Sequence, residues 1–383
     1  MENQENKKIV VLQVLPELGQ GGVELGTIEI ASELQKRGIE NYVASEGGRM
    51  EYNLERIKVK HFTLPLKTKN IFKMYLNSLR LARIIKKYGI TIVHARSRAP
   101  AWSAYWAAKR CGVHFVTTFH GTYGLGPWGI KKFYNKIMTY GEQVIAISNH
   151  IKQHILKNYK TDESKIRLIH RCVNMENFNV ETTSAERMIK YLEDNHIPED
   201  KPIVTLIGRL TNWKGQKLLI EALHLIDDED FFCVIIGDDQ GRKKYSAELR
   251  KMIDNYNMTD RFLFIRNVKD IPAAMMVSDV VLSTSIEPEA FGRIAIEGQA
   301  MGRVVVASNI GGSVETVIDG VTGRLYESTS AKALAEAIKW ALHLSTEERE
   351  KIGAAGIKNV KEHFTKQIMC DKTIEVYKEL INL

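Results

Sequence analysis

The sequence predicts an α/β chain of two doubly wound, parallel-sheet, Rossmann-like domains. Three observations carry that prediction. Apolar runs of strand length alternate with helical patterns through both halves, as parallel sheets require. The 383 residues, 44% of them apolar, suffice for two ordinary cores. Glycine-rich turns follow the strand-like runs directly, where such a sheet presents its ligand edge.

In the first half, strands are expected near 9–15, 41–45, 90–94, 114–119 and 143–147. The apolar run Ile9 to Leu15 leads into Gly19, Gly21, Gly22 and Glu24, then a helix to about Arg37 that Gly38 stops. A strand, a glycine turn and a helix let a phosphate or sugar pass close to the backbone. Glu24 stands where a dinucleotide fingerprint needs its third glycine, which argues against NAD. No GxxxxGK[ST] occurs, so a P-loop is excluded. Ile71 to Lys87 is a helical pattern with Lys73, Arg80 and Lys87 on a seven-residue repeat. Arg96 and Arg98 follow the strand that ends at His94, and their forked guanidinium groups suit a phosphate or a sugar-acid carboxylate. His120 ends the run Phe115 to Phe119, and its place at a strand end makes it a site candidate. Ser148 follows the run Gln143 to Ile147, as a site residue or as a helix cap.

In the second half, strands are expected near 203–207, 232–236, 262–265, 280–284 and 304–307. The polar segment Glu181 to Lys201 is read as carrying the linker and opening the second domain. Ile203 to Ile207 ends in Gly208 and Arg209, and Lys214 and Gly215 precede a helical pattern. Arg209 and Lys214 at strand ends can neutralise most of a diphosphate's charge. The segment from Asn267 through Val268 to Asp270 follows another strand. Asp279 to Ser285 reads as a buried strand, and Phe291 to Met301 as a helix. Glu289 thus falls at the carboxyl edge of the sheet, and the amides of Phe291, Gly292 and Arg293 fall at a helix N-terminus, ready for a diphosphate. Glu297 lies eight residues beyond Glu289 and is placed to bind ribose hydroxyls. Two glutamates at that spacing say little alone; the other strand-end motifs give them weight. After Val304 to Ser308 come Gly311, Gly312 and Glu315, the last read as a helix cap.

Charge divides the chain. Residues 1–180 hold 28 Lys and Arg against 14 Asp and Glu, while the remainder is net acidic. From Arg56 through Gly141 there are 17 cations and no acidic residue, so this half is expected to meet an anionic partner. Trp128 to Tyr134 sets aromatics among lysines. Two readings of this segment and of the 71–87 helix stand level: contact with an anionic membrane, or a wet basic face over core aromatics. No apolar run approaches the roughly 20 residues of a membrane span. The start, Met1 to Lys8, is polar and unlike a secretory signal. Cys111, Cys172, Cys233 and Cys370 show no CxxC spacing, which fits a reduced, cytoplasmic protein without a zinc site.

Gly21, Gly22 and Glu24; Gly208 and Arg209 with Lys214 and Gly215; Glu289, Ala290, Phe291 and Gly292 with Glu297; and Gly311, Gly312 and Glu315 occur in that order. Over almost its whole length the chain resembles glycosyltransferase family 4, retaining enzymes of the GT-B fold. Locally, His94 to Pro100, Thr117 to Gly121 and Trp213 to Gln216 resemble alphaproteobacterial transferases of lipopolysaccharide core sugars. The resemblance implies an acceptor domain over 1–180, a nucleotide-sugar domain over 181–365, and a last helix, 366–383, crossing back to the first, with chemistry in a central cleft. It implies a metal-independent hexosyltransferase with no cofactor beyond its nucleotide-sugar co-substrate. GDP-mannose is the first donor expected and a UDP-sugar the second. The acceptor expected is an anionic glycolipid such as one of the Kdo–lipid A type, at the inner face of the cytoplasmic membrane. In this frame His120 and Glu289 are catalytic. Gly21, Gly22, Arg209, Lys214, Val268, Ala290, Phe291, Gly292, Arg293 and Glu297 bind donor. Glu24, Arg96, Arg98 and Ser148 bind acceptor.

Departures from the family pattern fall near the hinge, at His170 to Asn174, and at Gly298 and Arg303. A GT-B nucleotide-sugar epimerase would share fold and donor but need no acceptor. An NAD-dependent oxidoreductase is opposed by the broken glycine fingerprint. A nucleic-acid-binding module would explain the basic half, but no recognition motif is present, and no nucleic-acid partner is expected.

Overall fold

The computed structural model describes residues 8–19 and 21–381. The polar start read at Met1 to Lys8 lies, but for Lys8, outside them. Contacts divide the chain into two units: residues 1–171 with 367–383, and residues 172–366. Residues 172–180, assigned to the first domain from sequence, lie with the second. There Phe178 packs into an apolar cluster and Val173 bridges Thr365. The segment expected to carry the linker and open the second domain lies within the second unit and forms a helix, Ala185–Asn195, capped by Ser184. Arg187 fixes it, donating two 2.7 Å hydrogen bonds to the Asp270 carboxylate.

The first unit holds a parallel seven-stranded sheet. Its strands are β1 (Val10–Val14), β2 (Glu40–Ser45), β3 (Lys60–Thr63), β4 (Ile92–Ala95), β5 (His114–Phe119), β6 (Gln143–Ala146) and β7 (Ile166–Leu168). Their spatial order is β3-β2-β1-β4-β5-β6-β7. The second unit holds six parallel strands: β8 (Ile203–Ile207), β9 (Phe232–Ile236), β10 (Phe262–Ile265), β11 (Val280–Ser283), β12 (Val304–Ser308) and β13 (Arg324–Tyr326). Their order is β10-β9-β8-β11-β12-β13. Central strands such as β1, β8 and β12 are buried throughout because helices cover both faces.

In each sheet the winding reverses once, between β1 and β4 and between β8 and β11. The crevice at such a reversal is where an open α/β sheet binds ligands. The turns after β1 and β4 carry Gly21 and Arg96; those after β8 and β11 carry Lys214 and Glu289. The last helix, Lys366–Ile381, packs on the first sheet. Tyr377, fully buried, reaches His94 on β4, and Arg37 pairs with Asp371.

The departures at Gly298 and Arg303 both lie in the second unit. At Gly298 a Cβ would lie 3.0 Å from a Val305 methyl and 3.1 Å from a Val281 methyl, so a side chain there would need those neighbours to give. Arg303 is anchored by donating to the carbonyls of Met301 and Met276.

Candidate active site

The candidate residues form two groups, one in each unit. In the second unit, two loops meet at a carboxylate. Lys214 Nζ lies 2.5 Å from Glu289 Oε1, both side chains being largely buried, and the Ser285 hydroxyl donates to the same oxygen. The Trp213 ring lies 4.6 Å from the ammonium. The backbones are stitched as well. Thr284 Oγ1 donates to the Lys214 carbonyl at 2.9 Å, and Ile286 N donates to the Trp213 carbonyl at 2.9 Å. Gly215, at φ +73°, allows this approach, since a Cβ there would stand 1.9 Å from the Thr284 carbonyl oxygen. Arg209 remains exposed at the end of β8.

Gly292 adopts φ +81° and caps the helix Arg293–Ala300, which starts two residues later than expected from sequence because that backbone is left-handed. Ala290 and Phe291 lead into it, Phe291 buried against Phe364. Arg293 Nη2 meets Glu297 Oε1 at 2.9 Å, one helical turn on, so the expected ribose ligand is held by a cation. Gly312 supports this loop from below. Its N donates to the Glu289 carbonyl at 2.8 Å, and a Cβ on it would strike Phe291 Cα. Val268, in the turn after β10, packs its side chain into the core beside Ile265 and Ile271, leaving its backbone in the loop.

In the first unit, Gly21 and Gly22 open the helix Gly22–Lys36, with Glu24 in its first turn. A side chain on Gly21 would meet the Glu24 carboxylate at 2.8 Å. Arg171, which sequence reasoning missed, clamps this turn by donating to the Gly22 carbonyl. Its guanidinium lies over Gly26, where a Cβ would stand 2.0 Å from Nη1.

Arg96 and Arg98 do not act as a pair. Arg96 is only 3% exposed, its Nε without a hydrogen-bond partner. Burial, with the nearby Arg171 cation, pushes its pKa down to about 10. It lines a cavity of about 10 Å³ with Arg171 and Thr118, room for one water. Arg98 starts the helix Arg98–Cys111, donates to Asn135 Oδ1 at 2.9 Å, and stacks 4.1 Å from the Tyr123 ring centre. The Ser148 hydroxyl accepts from Ile151 N at 3.1 Å, the helix-cap role.

His120 follows β5, its Nε2 buried and unpartnered. Burial, reinforced by the Arg96 and Arg171 charges, holds its pKa well below the ordinary histidine range, so the ring is neutral. His94 is held neutral too, chiefly by burial, between Tyr377 at Nδ1 (2.6 Å) and Thr118 at Nε2 (2.7 Å). An unfolded chain protonates these rings below about pH 6.5 and the folded chain does not. The unfolded state therefore binds more protons as pH falls, and stability drops with it. Thermal melts should show Tm falling from about pH 7 to pH 5, with a smaller fall in His94→Gln. An unchanged pH slope in that variant would contradict this account.

Among the described residues, no cluster of three or more His, Cys, Asp or Glu is placed to hold a metal ion, and no helix is long and apolar enough to cross a membrane.

Comparison with known proteins adds the following. The family model described as glycosyl transferases group 1 matches residues 188–359, and that of glycosyltransferase family 4 matches residues 20–177. The crystal structure of a glycosyltransferase from Rickettsia africae ESF-5 is 41% identical, with a TM-score of 0.92 over 98% of this chain and 99% of that one. Spore coat protein SA of Bacillus subtilis is 26% identical over 77% of this chain and 80% of its own length. The Anabaena protein HepE, solved with UDP and glucose, is 21% identical and shares the fold, with a TM-score of 0.83 over 97% of this chain and all of that one.

Proposed function

The chain belongs to the group 1 and family 4 glycosyltransferases of the GT-B fold, enzymes that move a sugar from a nucleotide sugar, and from that premise we propose that it is a retaining, metal-independent hexosyltransferase acting on an anionic glycolipid of lipopolysaccharide core or cell-envelope glycan synthesis. GDP-mannose is the donor of this reading, drawn from the local resemblance of the 94–100, 117–121 and 213–216 segments. The observation that carries it is the Lys214–Glu289 pair at the ends of the two strands that flank the switch point. One group meets the diphosphate and the other the sugar.

As the anomeric carbon–oxygen bond to the diphosphate breaks, negative charge builds on the leaving phosphate. Arg209, Lys214 and the helix N-terminus at Phe291 to Arg293 oppose that charge, as a divalent metal does elsewhere. The acceptor hydroxyl attacks the same face of the sugar and passes its proton to the departing phosphate oxygen, which gives retention. Glu289 orients sugar hydroxyls. Glu297, held by Arg293, takes the ribose, and the backbone around Val268 takes the base. Gly21 and Gly22 let the donor phosphates approach. A neutral His120 suits a hydrogen bond to the transferring sugar better than a cation would, because positive charge develops there. Glu24, Arg98 and Ser148 belong to the acceptor side, with Arg96 acting from beneath through its charge.

A UDP-sugar is the second reading, favoured by the UDP and glucose in the HepE structure. Calorimetry with UDP, GDP, ADP and NAD in EDTA tests both. Saturable GDP binding supports the first and UDP binding the second. Binding of NAD alone, or of no diphosphate until metal is added, overturns the proposal.

A further inference from the structure

The first unit carries a surface that the transfer reaction does not use. Seven large apolar side chains stand exposed on two of its segments. On the helix Ile71–Lys87 they crowd the first two turns, with Phe72 78% exposed beside Ile71, Tyr75 and Leu76. On the Gly126–Phe133 segment they are Trp128, Ile130 and Phe133. Neighbouring residues of one helix hold the two segments. Ser103 Oγ donates to the Met74 carbonyl at 2.9 Å, and Trp102 Nε1 donates to the Tyr134 carbonyl at 3.2 Å. The two apolar groups therefore flank the same turn.

Trp128 shows that this exposure is built in. It is 99% exposed and sits at φ +57°, a left-handed backbone that a bulky residue adopts only at a cost. Gly126 and Gly129 beside it are left-handed too, so the turn holds the indole away from the domain. Water gives no return for that cost, whereas the headgroup layer of a bilayer does.

The charges around these side chains match the same partner. Both segments lie in the 56–141 stretch that has 17 cations and no acid. Lys132 and Lys136, next to Phe133, line a pocket of about 380 Å³ together with Lys160 and Lys165. The Thr161 hydroxyl, which also lines it, is buried without a partner. Asp162 is the pocket's one carboxylate, occupied in accepting from Ser164 N at 3.0 Å, and nearby Glu163 is paired with Lys152 at 2.7 Å. Four ammonium groups against one carboxylate leave an excess of positive charge for a phosphate.

We propose that this surface docks the enzyme on an anionic bilayer, with Trp128, Ile130, Phe133 and Phe72 inserted among the headgroups and a lipid phosphate in the Lys132–Lys165 pocket. The inference deepens the glycolipid reading of the acceptor, and rests on it for its purpose, but its physical test is separate. The protein is floated with vesicles of phosphatidylcholine alone and of phosphatidylcholine with phosphatidylglycerol in equal parts. Binding is expected to the anionic vesicles at low salt and not to the neutral ones. Lys132→Ala with Lys136→Ala should weaken it by about 25-fold. Lipids brominated in their tails should quench the wild-type tryptophan emission more than that of Trp128→Phe. No binding to anionic vesicles, equal binding to neutral ones, or indifference to both sets of substitutions overturns the proposal. GDP and UDP calorimetry on the same preparations keeps the readings apart. Vesicle binding without nucleotide binding sinks the transferase donor reading alone, and nucleotide binding without vesicle binding sinks the docking surface alone.

Discussion

Lys214→Ala is expected to lower turnover of the nucleotide sugar by roughly a hundred- to a thousandfold, the loss that follows removal of one preorganised group facing developing charge. Nucleoside-diphosphate affinity should fall about tenfold or more, because a charge-assisted contact to phosphate disappears. The geometry explains why so much rests on one side chain. The Lys214 ammonium is not a free surface charge: Glu289 holds it at 2.5 Å, and the Trp213 ring lies 4.6 Å away. Its position is set before the ligand arrives, so little ordering entropy remains to be lost on binding. The substitution also strands Glu289, which keeps the Ser285 hydroxyl but loses its cation. A partly buried carboxylate left so costs about 1–3 kcal/mol. Glu289→Gln separates the effects, because it removes that carboxylate's charge and leaves the ammonium for the phosphate. Diphosphate affinity should survive in Glu289→Gln and fall in Lys214→Ala. Calorimetry, donor hydrolysis rates and thermal melts on both variants make the comparison. If Lys214→Ala melts lower but binds the diphosphate as tightly as wild type, the pair is structural only.

Much of this arrangement was legible in the sequence because the central strands are buried on both faces. Their apolar runs are continuous, and the expected spans at 203–207 and 232–236 coincide with β8 and β9. The helix expected over 71–87 has those same ends, with Asn70 accepting from Lys73 N to start it. Of the four edge strands only β10 was legible, its span 262–265 being all apolar; the other three were illegible for the converse reason. β3 reads Lys60, His61, Phe62, Thr63, and β7 and β13 have three residues each, too short and too exposed to leave an apolar pattern. Site residues next to strand ends were visible because glycine and charge interrupt apolar runs there. What sequence could not give was orientation. Arg96 and Arg98 look equivalent two residues apart, yet one turns into the interior and the other lies on Tyr123. Arg171 lies far along the chain from the glycine turn it clamps, and no local pattern links them. Ser285 was visible as a strand end, but its bond to Glu289 depends on how the following loop folds back.

Gly215→Ala should do at least as much damage to donor binding as losing the lysine, and it should also destabilise the fold. Two costs combine. The backbone at φ +73° is strained for any residue with a Cβ, by about 1–2 kcal/mol. The Cβ itself would stand 1.9 Å from the Thr284 carbonyl oxygen, a backbone atom that no rotamer change can move aside. Relief requires the two loops to part, which typically costs a further 1–3 kcal/mol. Parting them breaks the Thr284–Lys214 and Ile286–Trp213 hydrogen bonds and draws the ammonium from the carboxylate. A displacement of about 1 Å at such a site is enough to cost a hundredfold in rate. Gly320→Ala is the control, since Gly320 has nearly the same φ, +72°, with no atom within 4 Å of its would-be Cβ. It carries the strain without the collision and should lose only about 1–2 kcal/mol, with diphosphate affinity intact. Melting curves and calorimetry on the two alanine variants decide the matter. If they melt alike and bind the diphosphate alike, the close approach at Gly215 does not set the loop, and the placement of Lys214 needs another cause.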